Sequence, residues 1–317
     1  MKNIIASLML GFALLTSGVS AAEKKQTTAE HLQNVSVTIR AEAAWSAGEG
    51  SGVIFTRKDA EGNLVNFVWT AGHVIDNLRL TKRVLVDGTY KTIVHFRDPV
   101  IVKEIRQDGR TVGRLQMDAE VLKYSESEDG HDLALLRVRK LNFVTDSVVF
   151  YLDKSIPPLG TDLLHVGSLL GQFGANSMTS GIMSQHGRVL KDLNKHIFDQ
   201  TTCTAFPGSS GGGVFLKHGS GGDTRPRYVG MLVRGAGEGF NLIVPVRRMV
   251  EFCKEHKIMW ALDANVPMPT KEEMKKMSIE NAPVEKKEND PKKEATKKMF
   301  PFMLRVTHPP FIILEKK

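Results

Sequence analysis

The chain has 317 residues, 41% of them apolar but only 7% aromatic, and carries 43 Lys and Arg against 35 Asp and Glu, a formal charge of +8. This is the composition of an ordinary globular protein of one or two domains, with a core resting on Val, Leu, Ile and Met. The basic excess comes with neither zinc-finger spacing nor an aromatic and Gly-rich RNA-binding stretch, so nucleic acid is not an expected partner and the charge reads as a solubility and tail property.

In chain order, Lys2 precedes an apolar run from Ile4 to Leu15, followed by the small residues Ser17, Gly18, Val19, Ser20, Ala21 and Ala22. A basic start, a short apolar stretch and small residues before a cleavage point predict a secretory signal peptide over 1–22. The run falls short of the ~20 residues that span a bilayer, so no transmembrane span is expected in the mature chain, which is exported to the periplasm or secreted.

From Val35 onward the pattern is of short strands: Val35–Arg40, Gly52–Thr56, Asn66–Thr70, Arg83–Val86, Glu120–Tyr124 and Leu133–Val138. Turn signals at Asp59-Ala60-Glu61-Gly62, Asp87-Gly88 and Asp108-Gly109 separate them. A second set covers Leu163–Val166, Thr179–Ser184, Gly213–Leu216, Tyr228–Val233 and Phe240–Val244. Many short strands with Gly-rich turns predict an all-β protein, dividing near Asn142–Asp146 into halves at about 34–142 and 147–246. Met249, Val250, Phe252 and Cys253 then fall at helical spacing and predict one helix over about 247–257. Residues 263–317 read as a charged linker, Ala264–Lys298, and a short apolar tail. In that tail the alternation of Phe300, Phe302, Leu304 and Val306 predicts an extended strand docking on the body or on a partner. Cys203 and Cys253 are compatible with one disulfide or with two buried thiols, and the absence of CxxC and HExxH predicts no metal.

Three motifs carry the residue types that amide hydrolysis needs: a nucleophile, a base, and a group that holds the base in the right tautomer. Val68-Trp69-Thr70-Ala71-Gly72-His73-Val74 delivers an imidazole at a strand end. Asp132 directly precedes the apolar run Leu133–Val138, so its carboxylate enters partly buried surroundings and needs a partner. The neighbouring His131 is an alternative base that would face the other side of the strand. Ala205-Phe206-Pro207-Gly208-Ser209-Ser210-Gly211-Gly212-Gly213-Val214 is a tight loop whose glycines can turn backbone N–H groups into one concavity.

In this order the motifs resemble the trypsin-like peptidases, most closely the Deg/HtrA branch of exported bacterial proteases. The resemblance covers roughly Val35 to Phe252 and includes Gly50-Ser51-Gly52-Val53-Ile54-Phe55, Thr179-Ser180-Gly181-Ile182-Met183-Ser184 and Gly239-Phe240-Asn241-Leu242-Ile243-Val244-Pro245. It implies two Greek-key six-stranded β-barrels with a C-terminal helix, making one protease domain over 23–262. It also implies a serine endopeptidase acting on proteins or peptides without a cofactor. In that scheme His73 is general base and acid, Asp132 orients it, Ser210 is the nucleophile, and the N–H groups of Gly208 and Ser210 form the oxyanion hole. Substrate would be read by Thr204, Ala205 and Phe206 and by the strand residues Met231, Leu232 and Val233. The chain has Ser209 where exported relatives often have Asn, and Gly213 where they often have Pro or Ser. Arg79–Val102 is longer than the usual connection, and the C-terminal remainder is too short for a PDZ module. The competing readings are a catalytically inactive binding protein on the same scaffold and an α/β-hydrolase. The latter needs a helix directly after its nucleophile, and Gly211-Gly212-Gly213 is a poor helix start.

Overall fold

The computed structural model describes residues 26–279, apart from 45, 87, 191–195, 219–224 and 236. The expected signal peptide and the apolar tail Met299–Leu314 lie outside the described residues. A Thr27–Glu30 capping box starts helix α1 (Thr28–Asn34), each residue's side chain bonding the other's backbone N–H. There follow β1 (Ser36–Glu42), β2 (Ala47–Lys58), β3 (Leu64–Thr70), α2 (Gly72–Ile75), β4 (Arg79–Val86), β5 (Thr89–Phe96), β6 (Val100–Gln107), β7 (Arg110–Ser125) and β8 (Leu133–Val138). Six of these strands close into a barrel in the order β1-β2-β3-β8-β7-β6, the seam being the antiparallel pairing of Ile39 with Ile101. β4 and β5 stand apart as a hairpin, which accounts for the long Arg79–Val102 connection.

The second half contains β9 (Val149–Phe150), β10 (Asp162–Leu169), β11 (Gly174–Val189), β12 (Ile197–Thr201), β13 (Gly213–Leu216), β14 (Arg227–Gly235) and β15 (Asn241–Pro245). They form a seven-stranded sheet in the order β13-β10-β11-β12-β15-β14-β9, with β13 also paired to β14. The expected pair of six-stranded barrels is therefore corrected: one closed six-stranded barrel is joined to a seven-stranded sheet. The extra strand, β9, is two residues lying parallel to β14. So short a segment has no period of its own and becomes a strand only through its neighbour. Shifts of register between Met183 and Gln185, and between Gln185 and Arg188, also break the alternation that a sequence reading depends on.

Helix α3 (Val246–Glu255) buries Met249, Phe252 and Cys253 against the body. The Trp69 indole N–H donates to the Ala261 carbonyl at 3.0 Å. The Arg57 guanidinium donates to the carbonyls of Trp260, Asp263, Ala264 and Val266, tying down the start of the stretch expected as a linker. Within that stretch Lys271–Ile279 forms a helix, α4. Its cause is again a reciprocal Thr270–Glu273 cap, with Met274 buried against the barrel. Cys203 and Cys253 are free and buried, and burial pushes their thiols up to about 11 and about 12. No helix among the described residues is long and apolar enough to cross a membrane.

His165 on β10 is fully buried, its ring Nδ1 3.0 Å from the Gly213 carbonyl oxygen, to which it donates. Burial holds its pKa down to about 4, whereas a histidine in an unfolded chain titrates near ~6.5. Between these values the unfolded chain takes up a proton that the folded one refuses. Stability is thus complete above the unfolded value and is lost as pH falls toward the folded one, by ~3 kcal/mol at most. His165→Asn keeps a donor for Gly213 and removes the titration. Its melting temperature should fall less steeply with acidification over that window than the wild type's. Parallel slopes in a pH series of thermal melts would assign the acid lability elsewhere.

Candidate active site

β3 ends at Thr70, and Ala71 and Gly72 carry the chain into α2 with His73 in its first turn. Gly72 is required by close approach: a Cβ there would overlap the Ser125 carbonyl oxygen at the end of β7. That contact brings His73 against the turn between β7 and β8, which carries Asp132. The Asp132 carboxylate is 1% exposed. Its Oδ1 accepts the His73 backbone N–H at 3.0 Å, and both carboxylate oxygens lie 3.0 Å from His73 Nδ1. Burial, the largest single influence, pushes the carboxyl up. His73's charge and hydrogen bonds, with the field of Arg234, more than offset it and hold the group below the usual carboxylate range. Nδ1 facing a carboxylate carries the ring proton, which leaves Nε2 as the acceptor.

Ser210 lies in the loop between β12 and β13. Phe206-Pro207-Gly208-Ser209 form a type II turn: the Ser209 N–H donates to the Phe206 carbonyl at 2.9 Å, and Gly208 takes φ +93°. The Pro207 carbonyl accepts the Leu170 N–H at 2.6 Å. Since a trans peptide points its N–H opposite its carbonyl, this bond aims the Gly208 N–H to the other side of the turn. Neither that N–H nor the Ser210 N–H has an acceptor among the described residues. Gln172 fixes the Leu170 loop in turn, donating its backbone N–H (2.9 Å) and its side-chain amide (2.6 Å) to the Glu49 carboxylate.

β2 supplies the seat of this loop. Ser51, fully buried, donates its N–H to the Ser210 carbonyl and its hydroxyl to the Gly208 carbonyl, each at 2.7 Å, and accepts the Ser168 N–H at 2.7 Å. One residue of the barrel thus holds both candidate oxyanion residues. Ser51, Glu49 and Leu170 were assigned no role from the sequence. The Gly50-Ser51-Gly52 motif was visible, but its hydrogen bonds join segments more than a hundred residues apart. Ser210 is 4% exposed, and no hydrogen bond links it to the His73 ring among the described residues. Such contacts commonly tighten only around substrate.

A Cβ at Gly208 would overlap the Ser168 carbonyl oxygen and lie 2.6 Å from the Gly171 nitrogen, besides straining a positive φ. Gly208→Ala should therefore turn the 207–208 peptide and lower kcat by about 10²- to 10³-fold, the effect of losing one oxyanion donor. Circular dichroism should stay native and KM nearly constant. A variant with wild-type kcat would remove Gly208 from the chemistry.

Of the remaining candidates, Thr204 and Ala205 are half-buried and Phe206 is exposed, whereas the side chains of Met231, Leu232 and Val233 are fully buried. What these three β14 residues offer a ligand is backbone, and Leu232 already uses both its groups on Gly211 and Gly212. His131 packs against His196, their rings tilted with centres 4.2 Å apart, and lies beside Phe252. Burial and the charges of His196 and Arg248 push it down to about 4, so it is neutral and turned toward α3. A cavity of about 360 Å³ lined by Tyr151, Met183, Asp199, Val229 and Arg247 includes none of His73, Asp132 and Ser210. Among the described residues no cluster of His, Cys, Asp or Glu is arranged to hold a metal.

A barrel and a sheet presenting a buried His–Asp pair and a Pro-Gly-Ser-Ser-Gly loop are the parts of a peptidase fold. Residues 50–220 match the trypsin-like peptidase domain, and the chain belongs to that family. Solved structures similar to it include an HtrA-type protease, AlgW, with a tripeptide (21% identity, 73% of this chain and 62% of that one, TM-score 0.47). The serine endoprotease from Yersinia pestis shares 20% identity over 73% of this chain and 65% of that one (TM-score 0.47). Deg5 shares 19% over 71% and 89% (TM-score 0.47). The chain spans less than two thirds of the length of the first two. No curated protein matches it.

Proposed function

We propose that the chain is a serine endopeptidase that cleaves proteins or peptides through an acyl-enzyme. Ser210 Oγ attacks the scissile carbonyl carbon as its proton passes to His73 Nε2, and the oxyanion is met by the N–H groups of Gly208 and Ser210. His73 then protonates the leaving amine, and water, deprotonated by the same ring, releases the acyl group from Ser210. Asp132 keeps the imidazole in the tautomer that accepts at Nε2. The observation that carries this reading is the doubly engaged, buried Asp132 carboxylate behind His73, in a chain of the trypsin-like family. Thr204, Ala205 and Phe206, with the backbone of 231–233, are the proposed substrate wall. Residues 1–22 support an exported, periplasmic or secreted location.

The second reading, an inactive binding protein on the same scaffold, is favoured by one observation, the open Ser210–His73 contact. Treating the mature chain with a fluorophosphonate probe separates the two. Covalent labelling confined to Ser210 supports the peptidase. A folded chain that remains unlabelled while binding a peptide supports the other.

A further inference from the structure

Arg248 of α3 is 1% exposed, a buried guanidinium that forms no ion pair among the described residues. Its Nη2 donates to the His131 carbonyl at 2.6 Å and its Nη1 to the Ile197 carbonyl at 3.2 Å. The guanidinium carbon lies 4.6 Å from the centre of the Phe198 ring, and Nε has no partner. Burial pulls its pKa down to about 10, against the field of Asp132, so it is charged at neutral pH. Burying such a cation is expensive, and an apolar side chain of similar size is commonly the more stable choice. Stability alone does not account for it.

Its place in the chain does. The His131 carbonyl belongs to the peptide that ends at the Asp132 nitrogen, and that N–H donates to the Glu126 carbonyl at 2.9 Å. The peptide is therefore gripped on both edges. Asp132 itself sits at φ +56°, a left-handed geometry that costs a non-glycine residue ~1 kcal/mol and persists only when its surroundings hold it. Arg234 of β14 reaches the same turn, donating to the Ser127 carbonyl at 3.2 Å. The turn that carries Asp132 belongs to the barrel, yet it is held by two arginines of the second half.

The geometry points to Arg248 as a positioning residue for the His73–Asp132 pair: it clamps the His131 carbonyl and so fixes the carboxylate behind the imidazole, with a positive charge at its back. This rests on the peptidase reading for its effect on rate, but not for its effect on the hydrogen bond. Arg248→Met and Arg248→Lys in the full mature chain test it by two readouts. One is kcat and KM on a peptide substrate. The other is the low-field proton resonance of the His73 Nδ1–H, assigned by its loss in Asp132→Asn.

R248M should lower kcat by about 10- to 100-fold with KM within about threefold, as sub-ångström misplacement does. Its low-field resonance should move upfield or vanish by exchange. R248K, which keeps the charge but cannot span both carbonyls, should fall between R248M and the wild type in both readouts. A folded R248M with wild-type kcat and resonance overturns the proposal. So does one with lowered kcat and an unmoved resonance, because Arg248 would then act elsewhere. If R248M does not fold, R248K decides: a displaced resonance supports the proposal, and wild-type values of both readouts overturn it. If the wild type shows no turnover that depends on Ser210, the peptidase reading fails, and the resonance still settles what Arg248 holds.

Discussion

Ser210→Ala should lower kcat/KM for a peptide substrate by on the order of 10⁵- to 10⁶-fold and abolish fluorophosphonate labelling, whereas Ser209→Ala should stay within about tenfold of the wild type. The two serines are adjacent, and their environments separate them. Ser209 is fully buried, its Oγ accepting the Phe206 N–H at 3.1 Å while its own N–H closes the type II turn, so its hydroxyl is spent within the loop. Removing it sacrifices one hydrogen bond, worth ~1 kcal/mol of stability. Ser210 follows the turn, and its hydroxyl has no such partner among the described residues. Its carbonyl is anchored on Ser51, which holds the backbone of the residue and leaves the hydroxyl unspent. Steady-state kinetics on both variants decide the matter, and an active Ser210→Ala beside an inactive Ser209→Ala would reverse the assignment.

Asp132→Asn should lower kcat by about 10⁴-fold with little loss of stability. The exchange is nearly isosteric, and Asn tolerates the left-handed backbone that Asp132 occupies, so the fold should survive. The electrostatics do not survive. The carboxylate accepts from both the backbone and the ring of His73, and an amide offers only one accepting atom. If its oxygen stays on the backbone N–H, its NH₂ faces Nδ1 and drives the ring proton to Nε2, where Ser210 needs an acceptor. Thermal melts alongside the kinetics separate this from unfolding. A stable variant within tenfold of wild-type kcat would mean that Asp132 serves only to seat α2.

Much of this was legible without coordinates, and the reason is local. His73 at a strand end, Asp132 before an apolar strand and a Ser between glycines are short-range patterns, each dictated by what a few neighbouring residues allow. The all-β character was legible in the same way, from period-two runs. Two helix starts were also written locally, Thr27–Glu30 and Thr270–Glu273. Neither was read as a helix, because each helix is short and has too few apolar positions to show a helical period.

What the amino-acid sequence determined by itself is the chemistry available: which residue types stand at which strand ends, and the family to which their order belongs. The tertiary structure alone decided how those groups are held. The seventh strand of the second half exists only as a parallel partner of β14, and Ser51 grips Gly208 and Ser210 across the two halves. Arg248 and Arg234 hold the Asp132 turn, and Leu170 aims the 207–208 peptide. These contacts join residues far apart in the chain, mostly through backbone carbonyls and N–H groups. Every residue carries the carbonyl and all but proline the N–H, so they leave no mark in composition or spacing. Which of them meet is settled only when the strands pack.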